Sequence, residues 1–392
     1  MDAVITRCMS LIRYEIFNKP LDIDFSEGFT EDVLKSLYTF SKNHDVAHIV
    51  GTALEKNGLM PKEGELAQKF QKQSFLAIYR YQQLQHTYDK VCSILEEEQI
   101  DYVPLKGAII RPYYPEAWMR TSCDIDILVH QEDSERAARR IEEVMGTVKE
   151  TYRNFHDISL ILPGNVHLEL HFTLEESVPS FDAVLSQVWE HVYKPNPESV
   201  CHLETNEFLL FHMIAHNAYH FVAGGCGIRP FIDWHLLRGK IEFDRKKLDS
   251  LLNEANLKSF ADAMDALSDV WMGERKHTPL TLDMENYIFF AGAYGSLENQ
   301  IAVASENSDG RTKYLLYRIF MPYRTLKKIY PVLEKYPILY PVCTVRRWFR
   351  ILFGNRKGAM RELKQTVSYS DEKKKSVSNL CRELKLNNIM IK

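Results

Sequence analysis

The sequence predicts an α+β protein, a small mixed sheet embedded in a mainly helical chain. Three observations predict it. Residues 1–97 carry apolar side chains at three- and four-residue spacing, the period of an amphipathic helix. Between 100 and 175 that period gives way to alternation, as in DIDILV and HLELHF. After Pro179 the helical period returns.

In chain order, EDVLKSLYTFSKNHDVAHIVGTALEKNGL predicts helix, with Gly58 as a stop, and AQKFQKQSFLAIYRYQQLQHTYDKVCSILEEEQI predicts one long amphipathic helix. YVPL is a short strand that ends at Lys106-Gly107. AIIRPYY is a short helical piece broken by Pro112 and Pro115. DIDILV is a strand. EDSERAARRIEEVM is a helix whose first turn is acidic, as the helix dipole favours. TVKETYR, HDISLILP and NVHLELHF are strands, the last two joined by a Pro163-Gly164-Asn165 turn. TNEFLLFHMIAHNAYHFV is a helix broken at GGCG, and IRPFIDWHLLRGK begins another. ASENSDGRTK, residues 304–313, is the best linker. Four regions are expected: helical 1–97, α/β 98–178, helical 179–303 and basic helical 304–392.

The 392 residues exceed one ordinary core, so two or three domains are expected. The 45% hydrophobic and 26% charged content is that of a soluble globular protein. The opening MDAVITRCMSLIRYEIF is charged within its apolar part, so no signal peptide is expected. No uncharged apolar run is long enough for a transmembrane segment. The seven cysteines are scattered and form no C-x-x-C pair, which argues against a disulfide framework or zinc ribbon and for a cytoplasmic setting. The net charge of −4 is unevenly spread. Residues 311–392 hold 20 Lys and Arg against 5 Asp and Glu, leaving 29 basic and 48 acidic residues elsewhere. Such a tail can meet an anionic partner, such as nucleic acid or a membrane surface, or pack on the acidic body.

Asp124 and Asp126 lie one residue apart, so in a strand both carboxylates share one face. A solvated strand accommodates such a pair, and so does a metal site. Three features weigh toward the metal. Lys106-Gly107 forms a strand-to-helix turn upstream, where a glycine lets backbone approach a ligand. In HLELHF, Glu169 shares a face with His167 and His171. Carboxylates converging from adjacent strands repel unless neutralised, and Mg2+ neutralises them while binding phosphate.

The order of these motifs resembles the DNA polymerase beta-like nucleotidyltransferase superfamily. PLKGAIIRPYYPEAWMRTSCDIDILV, HLELHF and GIRPFIDW are more closely similar to a bacterial family of uncharacterised nucleotidyltransferases. The resemblance spans roughly residues 40–300. It implies that Asp124 and Asp126 are metal ligands and that Glu169 is the third carboxylate, ligand or base. It implies that Lys106 and Gly107 hold the triphosphate of an NTP, ATP foremost, and that residues 179–303 close the cleft. Lys-Gly stands where the superfamily has Gly-Ser, so a serine contact to phosphate is missing or replaced by the Lys106 ammonium.

Arg120 is a phosphate ligand or a salt-bridge partner of the nearby aspartates. His171 orients Glu169, touches substrate or is structural. His212, His216 and His220 fall on one helical face; a zinc pair, a nucleotide-facing role for His216 and a plain polar face are all open. Arg229 either contacts phosphate or pairs with Asp233 four residues on. The expected function is Mg2+-dependent transfer of a nucleoside monophosphate to a hydroxyl of an unknown acceptor. The rivals are a degenerate non-catalytic member acting as a binding or regulatory protein, and a polyanion or membrane-surface binder working through the basic C-terminal region.

Overall fold

The computed structural model describes residues 2–22 and 28–293, and beyond them 295, 299, 320–321, 323, 326–327, 330, 332–354, 371–387 and 389. The expected linker at 304–313 lies outside these residues, as does much of the basic C-terminal region. The chain divides into two compact units, Met1–Asn217 with Gly227–His277, and Ala218–Cys226 with Thr278–Lys392.

In the first unit, four helices precede the sheet: α1 (Asp2–Phe17), α2 (Glu31–Asn43), α3 (Ala47–Lys56) and α4 (Glu65–Glu97). Gly51 of α3 lets the Phe70 ring of α4 pack against the helix backbone; a Cβ there would sit 3.0 Å from that ring. Then come β1 (Tyr102–Pro104), α5 (Gly107–Ile110), two 3-10 turns (Arg111–Tyr113 and Ala117–Met119), β2 (Asp124–Val129), α6 (Gln131–Met145), β3 (Tyr152–Arg153), β4 (Asp157–Leu162) and β5 (Val166–His171). These strands form one mixed sheet in the order β1-β2-β5-β4-β3. The β2–β5 pair is parallel and the other pairs are antiparallel.

Alternation divides the sheet into two unlike faces. Ile125, Ile127 and Val129 of β2, Ile158, Leu160 and Leu162 of β4, and Leu168 and Leu170 of β5 point one way. They pack on Leu84, Val91 and Ile94 of α4 and on Ala137, Ala138 and Ile141 of α6. This apolar layer is what fixes the register, since a one-residue slip of either central strand would bury its polar set. The opposite face carries Asp124, Asp126, His167, Glu169, His171 and Ser159.

The structure shortens or adds some elements. TVKETYR forms only the two-residue β3. After α7 (Pro179–Leu185), a small hairpin of β6 (Val192–Tyr193) and β7 (Leu203–Glu204) appears that the sequence reading lacked. Next are α8 (Asn206–Val222), α9 (Arg229–Lys240), α10 (Arg245–Glu254) and α11 (Lys258–Met272). Arg238 of α9 bridges Asp265 and Asp269 of α11, each at 2.5 Å. Lys19, just past α1, donates to the carbonyl of Met272 at 2.8 Å. In the second unit, α12 (Pro279–Ala291) starts with a Thr278 capping box.

Candidate active site

The site grows from the parallel β2–β5 register. Asp124 stands opposite His167 and Asp126 opposite Glu169, so two rows of polar side chains cross the polar face side by side. Oxygen or nitrogen atoms of Asp124, His167 and Glu169 lie within 4.8 Å of one another, as do those of Asp126, Glu169 and His171. The three predicted carboxylates are therefore together, and Glu169 belongs to both groups.

The turn after β1 adds a cation. Pro104 pairs with Ile127, and the Leu105 amide donates to the Asp126 carbonyl at 3.1 Å. Lys106 follows with φ 40° and ψ −99°, a positive-φ conformation that a lysine adopts at a cost of about 1–3 kcal/mol. Burial alone would lower its ammonium pKa. The carboxylates of Asp126, Glu176, Asp124 and Glu169 outweigh that and raise it.

The two aspartates diverge in acidity. Burial raises the Asp124 carboxyl, and repulsion from Asp126 and Glu169 raises it further. Asp126 is held well below the usual range. Burial opposes this, but Lys106 and the hydrogen bond from His171 prevail. His171 Nε2 lies 3.2 Å from Asp126 and 3.4 Å from Glu169. Burial works against its protonation, yet those two carboxylates raise its pKa to about 9.

Gly107 is the second half of the turn, and its missing side chain matters. A Cβ there would lie 3.2 Å from Arg111 Nη2 and 3.2 Å from Arg120 Nη1. Arg120 is engaged elsewhere as well. Its Nε and Nη2 donate to Asp233 at 3.0 and 2.9 Å, and the Tyr114 hydroxyl donates to the same carboxylate at 2.7 Å. The aspartate that holds Arg120 is thus on α9, not on β2.

Arg229 and Asp233 do not pair, although their spacing allows it. Arg229 reaches Asp45 at 3.0 Å and the Thr121 carbonyl at 2.9 Å, a geometry that ties α9 to the loop before β2. His216 lies 2.8 Å from Glu176 and adds to the positive field at Asp126. His212 instead pairs with the buried Glu204 at 2.9 Å. Among the described residues no metal-holding group includes His212, His216 or His220.

Two participants escaped the sequence reading. Glu176 is a fourth carboxylate facing Lys106. Arg111 is buried and bonds the Ser122 hydroxyl, which in turn donates to the Asp124 carbonyl at 3.1 Å. Burial and the neighbouring Arg120 pull the Arg111 guanidinium down to about 10. A second arginine within the KG-to-DID interval was the available signal.

A face with three clustered carboxylates, bordered by buried cations and a glycine turn, suits a divalent cation and a polyphosphate together. The family described as Uncharacterised nucleotidyltransferase matches residues 32–273, which hold every residue of this site. No curated protein matches the chain.

Proposed function

The chain belongs to the uncharacterised nucleotidyltransferase family, and from that membership we propose a metal-dependent enzyme that transfers a nucleoside monophosphate from a triphosphate, ATP foremost, to an acceptor hydroxyl. The observation that carries this is the convergence of Asp124, Asp126 and Glu169 on one sheet face. The carboxylates supply the hard oxygen atoms that Mg2+ prefers, with one histidine beside each aspartate, and burial together with the like-charged Asp126 and Glu169 raises the Asp124 carboxyl, which a cation would offset. In this reading the core is a polymerase beta-like fold.

Bound Mg2+ would supply charge neutralisation at the phosphates. Asp124 and Asp126 would hold it from β2, and Glu169 of β5 would either complete the ligand set or serve as the base. Lys106, and Arg111 behind Gly107, orient the triphosphate by charge-assisted hydrogen bonds. The acceptor oxygen attacks the α-phosphorus, and Glu169, where it serves as the base, takes the proton from that hydroxyl. A new O–P bond forms as the bond to pyrophosphate breaks. His171 keeps the Asp126 and Glu169 carboxylates oriented. The helical segment after the sheet closes over the nucleotide through His216, and Arg120 and Arg229 secure the loop that carries β2. We place this activity in the cytoplasm, a reducing setting that suits seven scattered cysteines without a C-x-x-C pair.

Calorimetric titration of each nucleoside triphosphate with and without Mg2+ tests this. Wild type should bind only with the metal, and the Asp124→Asn, Asp126→Asn pair should not bind. Equal binding by both proteins would sink the proposal. Label on the α-phosphate should then reach the acceptor, whereas γ-label transfer would mean a kinase.

One observation favours a second reading. Lys106 and His171 already lie against the carboxylates and offset their charge without a metal. A non-catalytic binding protein built on the same fold would bind triphosphate without Mg2+, or not at all.

A further inference from the structure

The basic C-terminal region shows a surface that the nucleotidyl-transfer reading leaves unused. In the helix Tyr340–Gly354, Cys343, Thr344 and Arg347 are buried. Cys343 of that helix joins Met321, Leu326 and Leu333 in a small core, and Thr344 is buried beside it. Tyr340 fixes the arrangement by donating to the Met321 carbonyl at 2.7 Å, and Tyr323 donates to Leu333 at 2.6 Å.

The outward side is the unexpected one. Ile338 is 86% exposed, Val342 61%, Val345 43% and Phe349 57%. Val342, Val345 and Phe349 are three and four residues apart and form one stripe along the helix, and Ile338 precedes them in the 3-10 turn Pro337–Leu339. Burying these side chains in an apolar medium is worth about 1.5–3 kcal/mol each, so a stripe of them in water is costly. Lys335 and Arg346 are exposed near it. In sequence, residues 311–392 carry 20 Lys and Arg against 5 Asp and Glu.

We infer that this face lies on an anionic lipid bilayer, with Ile338, Val342 and Val345 in the acyl boundary and the basic side chains at the headgroups. Amphipathic geometry with aliphatic residues on one side and cations around them is what an interfacial helix needs. No described helix is long and apolar enough to cross a membrane, so the surface contact is in-plane. A self-paired copy fits less well. A two-fold interface would set this cationic surface against itself. A polynucleotide also fits less well, because three of these four side chains are aliphatic and offer no ring face on which bases can stack. The inference is independent of nucleotide transfer.

Co-sedimentation of the full chain with vesicles tests it. Vesicles of phosphatidylcholine mixed with phosphatidylserine should pellet the protein, and phosphatidylcholine alone should not. Added salt should weaken the binding. Ile338→Glu with Val342→Glu should lower partitioning about tenfold or more. Both positions are exposed, so the circular dichroism and thermal unfolding of this variant should match wild type. Lys335→Glu with Arg346→Glu should act in the same direction through charge alone. Failure to pellet with either vesicle would overturn the inference, and so would undiminished binding by the Ile338, Val342 variant. Self-association of wild type that this variant abolishes would assign the stripe to a second copy. Displacement from vesicles by an oligonucleotide at low salt, with tighter binding to it than to lipid, would assign the surface to nucleic acid.

Discussion

Asp233 is buried on α9, and its two oxygens accept from Arg120 and from the Tyr114 hydroxyl. Removing the carboxylate leaves a guanidinium buried without its counter-charge. Asp233→Ala should therefore cost about 3–5 kcal/mol, read from the midpoint of urea unfolding. Replacing both partners, Arg120→Met with Asp233→Leu, should recover most of that loss, because no orphaned charge remains. If the double variant is no more stable than the single one, the pair is not the origin of the loss. Arg111 allows a different test, since its bond goes to Ser122 rather than to a carboxylate. Arg111→Ala should weaken Mg2+-triphosphate affinity about tenfold or more, the worth of one charge-assisted hydrogen bond. An unchanged affinity would make Arg111 purely structural. The sequence announced Asp124, Asp126 and Glu169 by their alternation with apolar neighbours. It was silent on who holds Arg120, because that partner lies 113 residues away and no local period encodes such a pairing.

At the scale of elements, the site depends on the strand pair β2–β5 staying in register. Leu168 and Leu170 are fully buried on the face opposite Glu169, between α4 and α6. Leu168→Ala should cost about 2–5 kcal/mol by lost burial and the cavity left behind. Its thermal unfolding should shift down while the site residues remain unaltered; a shift smaller than for an exposed-site control such as Val144→Ala would contradict the packing. These central strands were legible because each has six residues, enough for alternation to declare itself. The turn at Pro163-Gly164-Asn165 was legible for a different reason. Gly164 and Asn165 both take positive φ, at 78° and 61°, which few other residue types accept. By contrast, β6 and β7 have two residues each, and no periodicity can be read from two. The strand expected over TVKETYR shrank to Tyr152–Arg153 because both are exposed at the sheet edge and bury nothing.

At the scale of the molecule, the separation of charge was plain in the composition, but the particular ion pairs that join distant helices were not. Within the first unit, α9 and α11 are clamped by Arg238 against Asp265 and Asp269. Trp234 adds a hydrogen bond to Asp265 at 2.7 Å. The Arg238 hydrogen bond and charge hold the Asp269 carboxyl below its ordinary value, with its slight burial opposing. A carboxyl depressed on folding stabilises the protein above its unfolded pKa, and that contribution is lost as pH falls through the folded value. The window is therefore acidic, opening below about pH 4. Arg238→Ala should lower stability by about 1 kcal/mol at neutral pH, a modest figure because the pair is partly solvated. The gap between wild type and variant should narrow as pH drops to about 3, since a protonated Asp269 no longer needs its partner. Thermal midpoints measured at both pH values decide the matter. A gap of the same size at each would mean that Arg238 stabilises α9 against α11 through packing of its aliphatic stem, not through charge.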